Sequence, residues 1–223
     1  MKKGFRNIIT LLFAAVFFLS LAPAKVEAAA PEKTAYIGYA DTSWTYQYWG
    51  EPVDTGIVGT NAEITGPGRY TLALDFTGTP EGKAPEMTFS AVMIEKGTDH
   101  FPGYFIQIES IKLDGEEIEF SKSYTSSDDG VEMRSNIYNA WTGDNIPDDS
   151  RRPDGDLTGA SAVIVDPALF TGVETITVEF SFLDPDGNLG EVSTPKTGVT
   201  SMALVYGLGA LVTGAYVFKR KKK

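Results

Sequence analysis

Cysteine is absent from all 223 residues, so neither a disulfide nor a thiolate metal site can brace the fold. Histidine is nearly absent too: His100, between Asp99 and Phe101-Pro102, is the only one and reads as a loop residue. The lack of Cys, of Gly-x-Ser-x-Gly and of His-Glu-x-x-His argues against the common nucleophilic triads and zinc hydrolases. Between Ala35 and Leu183 no apolar pattern of helical period runs beyond a turn or two, which argues against a helical domain. Basic residues are scarce in the middle of the chain. Lys2, Lys3, Arg6 and Lys25 lie at the start and five more end it, leaving ten against twenty-nine acids, a net −19. A surface of that sign repels nucleic acid and anionic lipid, and neither is expected as a partner.

What is present is organised from the last thirty residues. Val199 to Phe218 carries no charge and is rich in Ala, Leu, Val and Gly, the length of a membrane-spanning helix. Lys219-Arg220-Lys221-Lys222-Lys223 follows at once and marks the cytoplasmic side, which places the rest of the chain outside the cell. At the other end Lys2, Lys3 and Arg6 precede an apolar run from Ile8 to Leu21, and Ala28, Ala29 and Ala30 offer a small-residue cut. This is the pattern of a secretory signal peptide over 1–30. Removing both ends leaves roughly 165 residues, enough for one domain with its own core. Thr194-Pro195-Lys196-Thr197-Gly198 stands just before the apolar span.

That pentapeptide, with the span and basic tail in order behind it, resembles the sorting signal of Gram-positive surface proteins, usually Leu-Pro-any-Thr-Gly. The resemblance implies that a sortase cleaves between Thr197 and Gly198 and joins the Thr197 carboxyl to peptidoglycan, with the membrane held only before sorting. Thr194 departs from the usual Leu, which bears on the class of sortase. A permanent single-span anchor is the plainer alternative.

The domain, 31–184, reads as short strands separated by Gly, Pro, Asn and Asp, the spacing of an antiparallel, all-β sandwich of jelly-roll-like form. Tyr70–Phe76 and Thr175–Phe182 alternate apolar with polar or small residues, as strands with one buried face do. Asp114-Gly115 between Tyr104–Leu113 and Glu116–Phe120 predicts a two-residue hairpin. The apolar phase slips from Ile106 and Ile108 to Ile111 and Leu113, which predicts a β-bulge near Glu109-Ser110. Further strands are expected at Ile57–Ile64, Met87–Ile94, Val131–Tyr138 and Ala160–Val165. Asp144 to Asp156 reads as an exposed loop, and 185–193 as a polar linker to the sorting signal at 194–223.

Trp44-Thr45-Tyr46-Gln47-Tyr48-Trp49 packs four aromatics into six residues. As a strand it puts Trp44, Tyr46 and Tyr48 on one face, filling the sandwich, and leaves Trp49 toward solvent or a loop. Tyr124, Asp128, Asn136, Tyr138, Asn139 and Trp141 form a second concentration of rings and hydrogen-bonding groups. Flat aromatic faces suit the C–H faces of sugars, while amides and carboxylates suit their hydroxyls. Trp49, Trp141, Tyr124 and Tyr138 are thus candidates for stacking, and Asp128, Asn136 and Asn139 for hydrogen bonding. Together with Gly66–Thr71 and Ser110–Gly115 these stretches resemble the β-sandwich carbohydrate-binding modules of clostridial plant-cell-wall hydrolases. The resemblance implies non-catalytic binding of a polysaccharide of the plant-cell-wall glucan class. No cofactor and no catalytic residue is expected. Asp128-Asp129, Asp148-Asp149 and Asp154-x-Asp156 offer oxygens of the kind calcium takes, but without EF-hand spacing, so solvated turn acids are the plainer reading and structural calcium the alternative. The rival function is a structural or adhesive domain that binds protein; a glycoside hydrolase, which needs only two well-placed acids, comes third.

Overall fold

The computed structural model describes residues 30–190 apart from Val53 and Asp144. The expected signal peptide and the expected sorting signal, with its pentapeptide, apolar span and basic tail, therefore lie outside the described residues apart from Ala30. Among the described residues no helix is long and apolar enough to cross a membrane.

Two antiparallel sheets, consistent with a β-sandwich, make up the body. The first has the order β2 (Gln47–Tyr48), β1 (Thr34–Asp41), β6 (Met87–Ile94), β10 (Glu132–Asn139), β9 (Ser126–Asp128), with β4 (Ala62–Glu63) added at the start of β1. The second has the order β3 (Val58–Thr60), β5 (Gly68–Asp75), β11 (Thr175–Leu183), β7 (Phe105–Leu113), β8 (Glu116–Ile118). The six long strands alternate strictly between the sheets in chain order: β1, β6 and β10 in one, β5, β7 and β11 in the other. One helical turn, α1 (Gly97–His100), links β6 to β7.

In sheet two the period-two pattern explains the packing directly. Leu72 and Leu74 of β5 and Ile176, Val178, Phe180 and Phe182 of β11 are buried, while the residues between them are partly open. Asp114 and Gly115 both take positive φ (50° and 86°), as a type I′ hairpin turn requires, and Leu113 pairs with Glu116. Asp114 also fastens this turn to β11, its Oδ1 accepting from the amides of Glu174 and Thr175 at 2.8 Å. The bulge falls where the apolar phase slipped: Ser110 pairs with Glu179 and Ile108 with Phe180, leaving Glu109 as the extra residue.

Sheet one is buried on both faces along β1 and β6. Tyr39 meets Phe76 edge-on across the core, ring centroids 5.0 Å apart, so Tyr39, Ile37 and Ala35 face inward. Tyr36, Gly38 and Ala40 face outward, paired with Met93, Ala91 and Phe89 of β6. Burial on both faces removes the alternation from Ala35–Ala40, which is why β1 is not legible as a strand in the way β5 is.

Two expectations need correction. Ile57–Ile64 is not one strand: Asn61 accepts from the Tyr48 hydroxyl at 3.0 Å and donates to the Gly50 carbonyl, and the chain breaks there into β3 and β4, which join different sheets. Ala160–Val165 is not a strand. Its Ala162 and Ile164 are buried, but the Ile164 backbone bonds singly, its N–H to Ile137 and its carbonyl to Ser121, with no ladder. The expected loop from Asp144 to Asp156 is a loop with no buried residue among those described, and Arg151 ties it to the body by exchanging both backbone hydrogen bonds with Thr125 at 2.9 Å and donating to the Tyr104 carbonyl.

Candidate functional site

The outer face of sheet one carries a strip of four aromatic rings at the end of the sheet where β1 and β10 finish. Phe89 of β6 is its middle, flanked by Ala40 on β1 and Asn139 on β10. From each flank a turn leaves the sheet, and each turn lifts a tryptophan. Trp44 and Trp141 stand with ring centroids 5.4 Å apart, Trp141 and Phe89 6.4 Å, and Phe89 and Trp49 5.5 Å. Successive planes are tilted by 37°, 33° and 33°. Trp44 is 47% and Trp141 59% exposed, whereas Phe89 is buried. Gly38 makes the inner part of the strip possible: a Cβ there would stand 2.2 Å from Met93 Sδ and within 3.4 Å of Phe89 and Trp49.

Asp41 positions Trp44. Its buried carboxylate accepts from the Tyr46 N–H at 2.7 Å through Oδ1, and from the Ser43 N–H (3.1 Å) and Ser43 hydroxyl through Oδ2. The turn so closed holds Trp44 at φ 58°, a left-handed backbone that a bulky residue takes only under constraint. The second turn is built the same way. Asn139 Oδ1 accepts from the Trp141 N–H at 3.1 Å, and Asn145 donates to the Thr142 carbonyl at 3.1 Å. Gln47 joins the two ends of the aromatic run, its amide accepting from Trp49 Nε1 at 3.0 Å and donating to the Trp44 carbonyl. Around the rings lie neutral hydrogen-bonding groups: Ser43 and Thr45, whose hydroxyl oxygens stand 2.8 Å apart, and Thr142 and Asn145.

The candidate residues from sequence divide into three groups. Trp141 is exposed at the strip, and Trp49 is half-buried in it. Tyr124 and Asn136 are each 1% exposed and bonded to each other, Asn136 Nδ2 donating to the Tyr124 hydroxyl at 3.0 Å, while Asn136 Oδ1 is buried without a hydrogen-bond partner. Burial raises the Tyr124 phenol above its ordinary pKa, with the Asn136 bond opposing. Neither side chain is open to a ligand, which corrects the expectation that they stack and donate. Tyr138 is half-buried against the core, and Asn139 is a buried turn-former, so the reach of both is shorter than expected. Asp128 lies in β9, and its side chain is outside the described part. Thr194, Pro195, Lys196, Thr197 and Gly198 are outside the described residues as well.

Trp44 is the residue that sequence reasoning misplaced. Only Gln47–Tyr48 of the aromatic run is strand, so Trp44 does not share an inward face with Tyr48. Asp41-Thr42-Ser43 immediately before it is turn chemistry, and that signal outranks the apparent alternation of the rings.

Three of the acids considered for calcium are engaged otherwise. Asp149 accepts from the Ser127 N–H and hydroxyl at 2.7 and 2.6 Å, Asp154 pairs with Arg152 and Asp156 with Lys122. Among the described residues no group of three or more His, Cys, Asp or Glu is placed to hold a metal ion. On the outer face of sheet two, Arg69, Thr71, Glu109 and Glu179 line a shallow groove beside the bulge. Both carboxylates there have partners, Glu109 accepting from Ser181 at 2.6 Å and Glu179 pairing with Lys112 at 2.7 Å.

No protein-family model, no curated protein sequence and no solved structure matches the chain.

Proposed function

We propose that this chain is a cell-wall-anchored surface protein whose jelly-roll-like β-sandwich binds carbohydrate without catalysis. The observation that carries the binding is the pair of exposed indoles, Trp44 and Trp141, held on separate turns by Asp41 and Asn139. Two large apolar rings stay about half in water, Trp44 at a cost in backbone strain, and a sugar C–H face is a fitting cover for them. The neutral hydroxyl and amide groups around them suit sugar hydroxyls. Anchoring rests on the sequence order of Thr194–Gly198, apolar span and basic tail, with sortase and peptidoglycan as partners and the membrane as a stage before sorting. The enzyme is ranked lower because Glu109 and Glu179, the acids that share a groove, are already engaged.

Affinity electrophoresis against a panel of soluble polysaccharides tests the binding. Retardation that disappears in Trp141→Ala is expected. No retardation by any polysaccharide would transfer the exposed pair to the adhesive reading, in which the rings meet a protein. Fractionation of cells carrying Thr197→Ala tests the anchor: that protein should be lost from the covalent peptidoglycan fraction, and its full retention there rules out the sorting reading.

A further inference from the structure

We infer that the aromatic strip takes a single, uncharged glycan chain over one or two sugar units, not the face of a crystalline polysaccharide. The inference rests on the carbohydrate reading above and names the ligand class. Its ground is the tilt between rings. Trp44 and Trp141 are inclined by 37°, and the planes behind them by 33° at each step. A crystalline face presents its sugar rings in one plane, so every aromatic ring that contributes must lie in a parallel plane.

An indole edge about 3 Å from its centroid departs by roughly 2 Å from its neighbour's plane at such a tilt, when a gap of about 1 Å already forfeits up to half of a dispersion contact. Against a flat surface one of the two indoles is therefore wasted. A single chain rotates about its glycosidic bonds and can present a face to each.

Extent follows from the same geometry. Only Trp44 and Trp141 of the four rings are open, and their 5.4 Å separation is close to the length of one pyranose unit. Phe89 is buried and Trp49 half-buried, so the strip supports the exposed pair from beneath and does not lengthen the platform.

Charge settles the class of sugar. Residues 41–49 and 139–145, the two turns and their approaches, contain no Lys or Arg. The body around them is strongly acidic, net −19 by sequence. A uronic acid, sulfated or phosphate-bearing glycan would meet repulsion with no cation to offset it. Ser43, Thr45, Thr142 and Asn145 offer neutral donors and acceptors, which match hydroxyls.

The test uses the full chain purified in mild detergent. Three probes are compared: a panel of soluble neutral polysaccharides (β-glucan, xyloglucan, xylan, mannan and α-glucan), microcrystalline cellulose and chitin, and polygalacturonate. Retention by a soluble neutral member is expected, at least tenfold stronger than for either of the other two classes. Trp141→Ala and Trp44→Gly should each weaken it at least tenfold, the glycine accepting φ 58° without strain so that the turn survives; unchanged circular dichroism of each variant checks this. Equal or stronger binding to the crystalline or anionic probes would overturn the inference while leaving carbohydrate binding intact. Retention unaffected by both substitutions would overturn the placing of the site. Binding to no probe would remove the carbohydrate reading itself.

Discussion

Replacing Asp41 by alanine should loosen Trp44 while leaving the sandwich folded. The carboxylate closes the turn with three hydrogen bonds. Two of them end on Ser43, which is exposed, so water replaces them at little cost. The third, from the half-buried Tyr46 amide at 2.7 Å, is charge-assisted and contributes roughly 1.5–3 kcal/mol. Once the turn opens, Trp44 leaves its left-handed backbone and about 1–2 kcal/mol of strain is relieved. The two effects oppose, and the larger one wins by about 1 kcal/mol, a fall in Tm of about 2–4 °C for a body of this size. The local effect is greater than the global one, because Trp44 then keeps only its backbone bonds to the Gln47 amide and the Asp41 carbonyl, which do not fix the indole beside Trp141. Indoles 5.4 Å apart couple their electronic transitions and give a paired band in circular dichroism. Asp41→Ala should abolish that band as Trp141→Phe does, and Asp41→Asn, which keeps one carbonyl acceptor, should retain part of it. A band and a Tm both unchanged in Asp41→Ala would refute the account of how this turn is held.

Gly59→Ala should destabilise by about 1–3 kcal/mol, since its Cβ would stand 2.1 Å from the ring and hydroxyl of buried Tyr48, and the smaller Tyr48→Leu in the same chain should recover part of the loss in urea midpoint. Asp114→Ala removes the acceptor of the Glu174 and Thr175 amides and should cost about 1–3 kcal/mol by the same measurement, with Asp114→Asn milder. Burial, with Glu132 and Glu95 adding to it for Tyr36 and Asp41 for Tyr39, raises both phenols well above the ordinary value of 10. The folded state keeps these protons when the unfolded state releases them, so the contribution of these two phenols to stability is constant below pH 10 and stability declines above it, and both rings should ionise only together with unfolding in an absorbance titration. On the acid side Asp156 is held below the usual carboxylate range, first by Lys122 and then by the Thr158 amide. The stability it adds is present above the ordinary 3.8 and is lost as pH falls through its lower folded value; Lys122→Met should raise the Asp156 midpoint in a carboxyl NMR titration.

Much of sheet two is legible because it obeys one rule at a time. Tyr70-Thr71-Leu72-Ala73-Leu74 and Thr175–Phe182 have one wet face and one dry one, and Asp114-Gly115 has one turn it can make. The displaced phase at Ile108 and Ile111 even locates the bulge. In sheet one β6 and β10 are legible as strands, but β1 is not, since Tyr36 and Gly38 lie beneath other side chains on the outer face while Ile37 and Tyr39 face the core, and burial on both faces leaves no period to read. At the site, Trp141 was legible from its place at a strand end beside a loop. Trp44 was not, because its rank among alternating aromatics imitates a strand and only the carboxylate of Asp41, three residues earlier, turns it outward. Tyr124 and Asn136 have the right chemistry for a sugar, and nothing local says that they spend it on each other.

The strict alternation of long strands between the two layers has a kinetic consequence. Since no long strand lies next to its successor, every extended ladder waits for a distant partner: β5 for β11, β1 for β6. Distant pairing must first overcome the entropy of closing large loops, and chains of that kind fold in milliseconds to seconds. The central strand of sheet two, β11, is also the last long strand in chain order, so β5 and β7 have no ladder between them until the end of the domain is available.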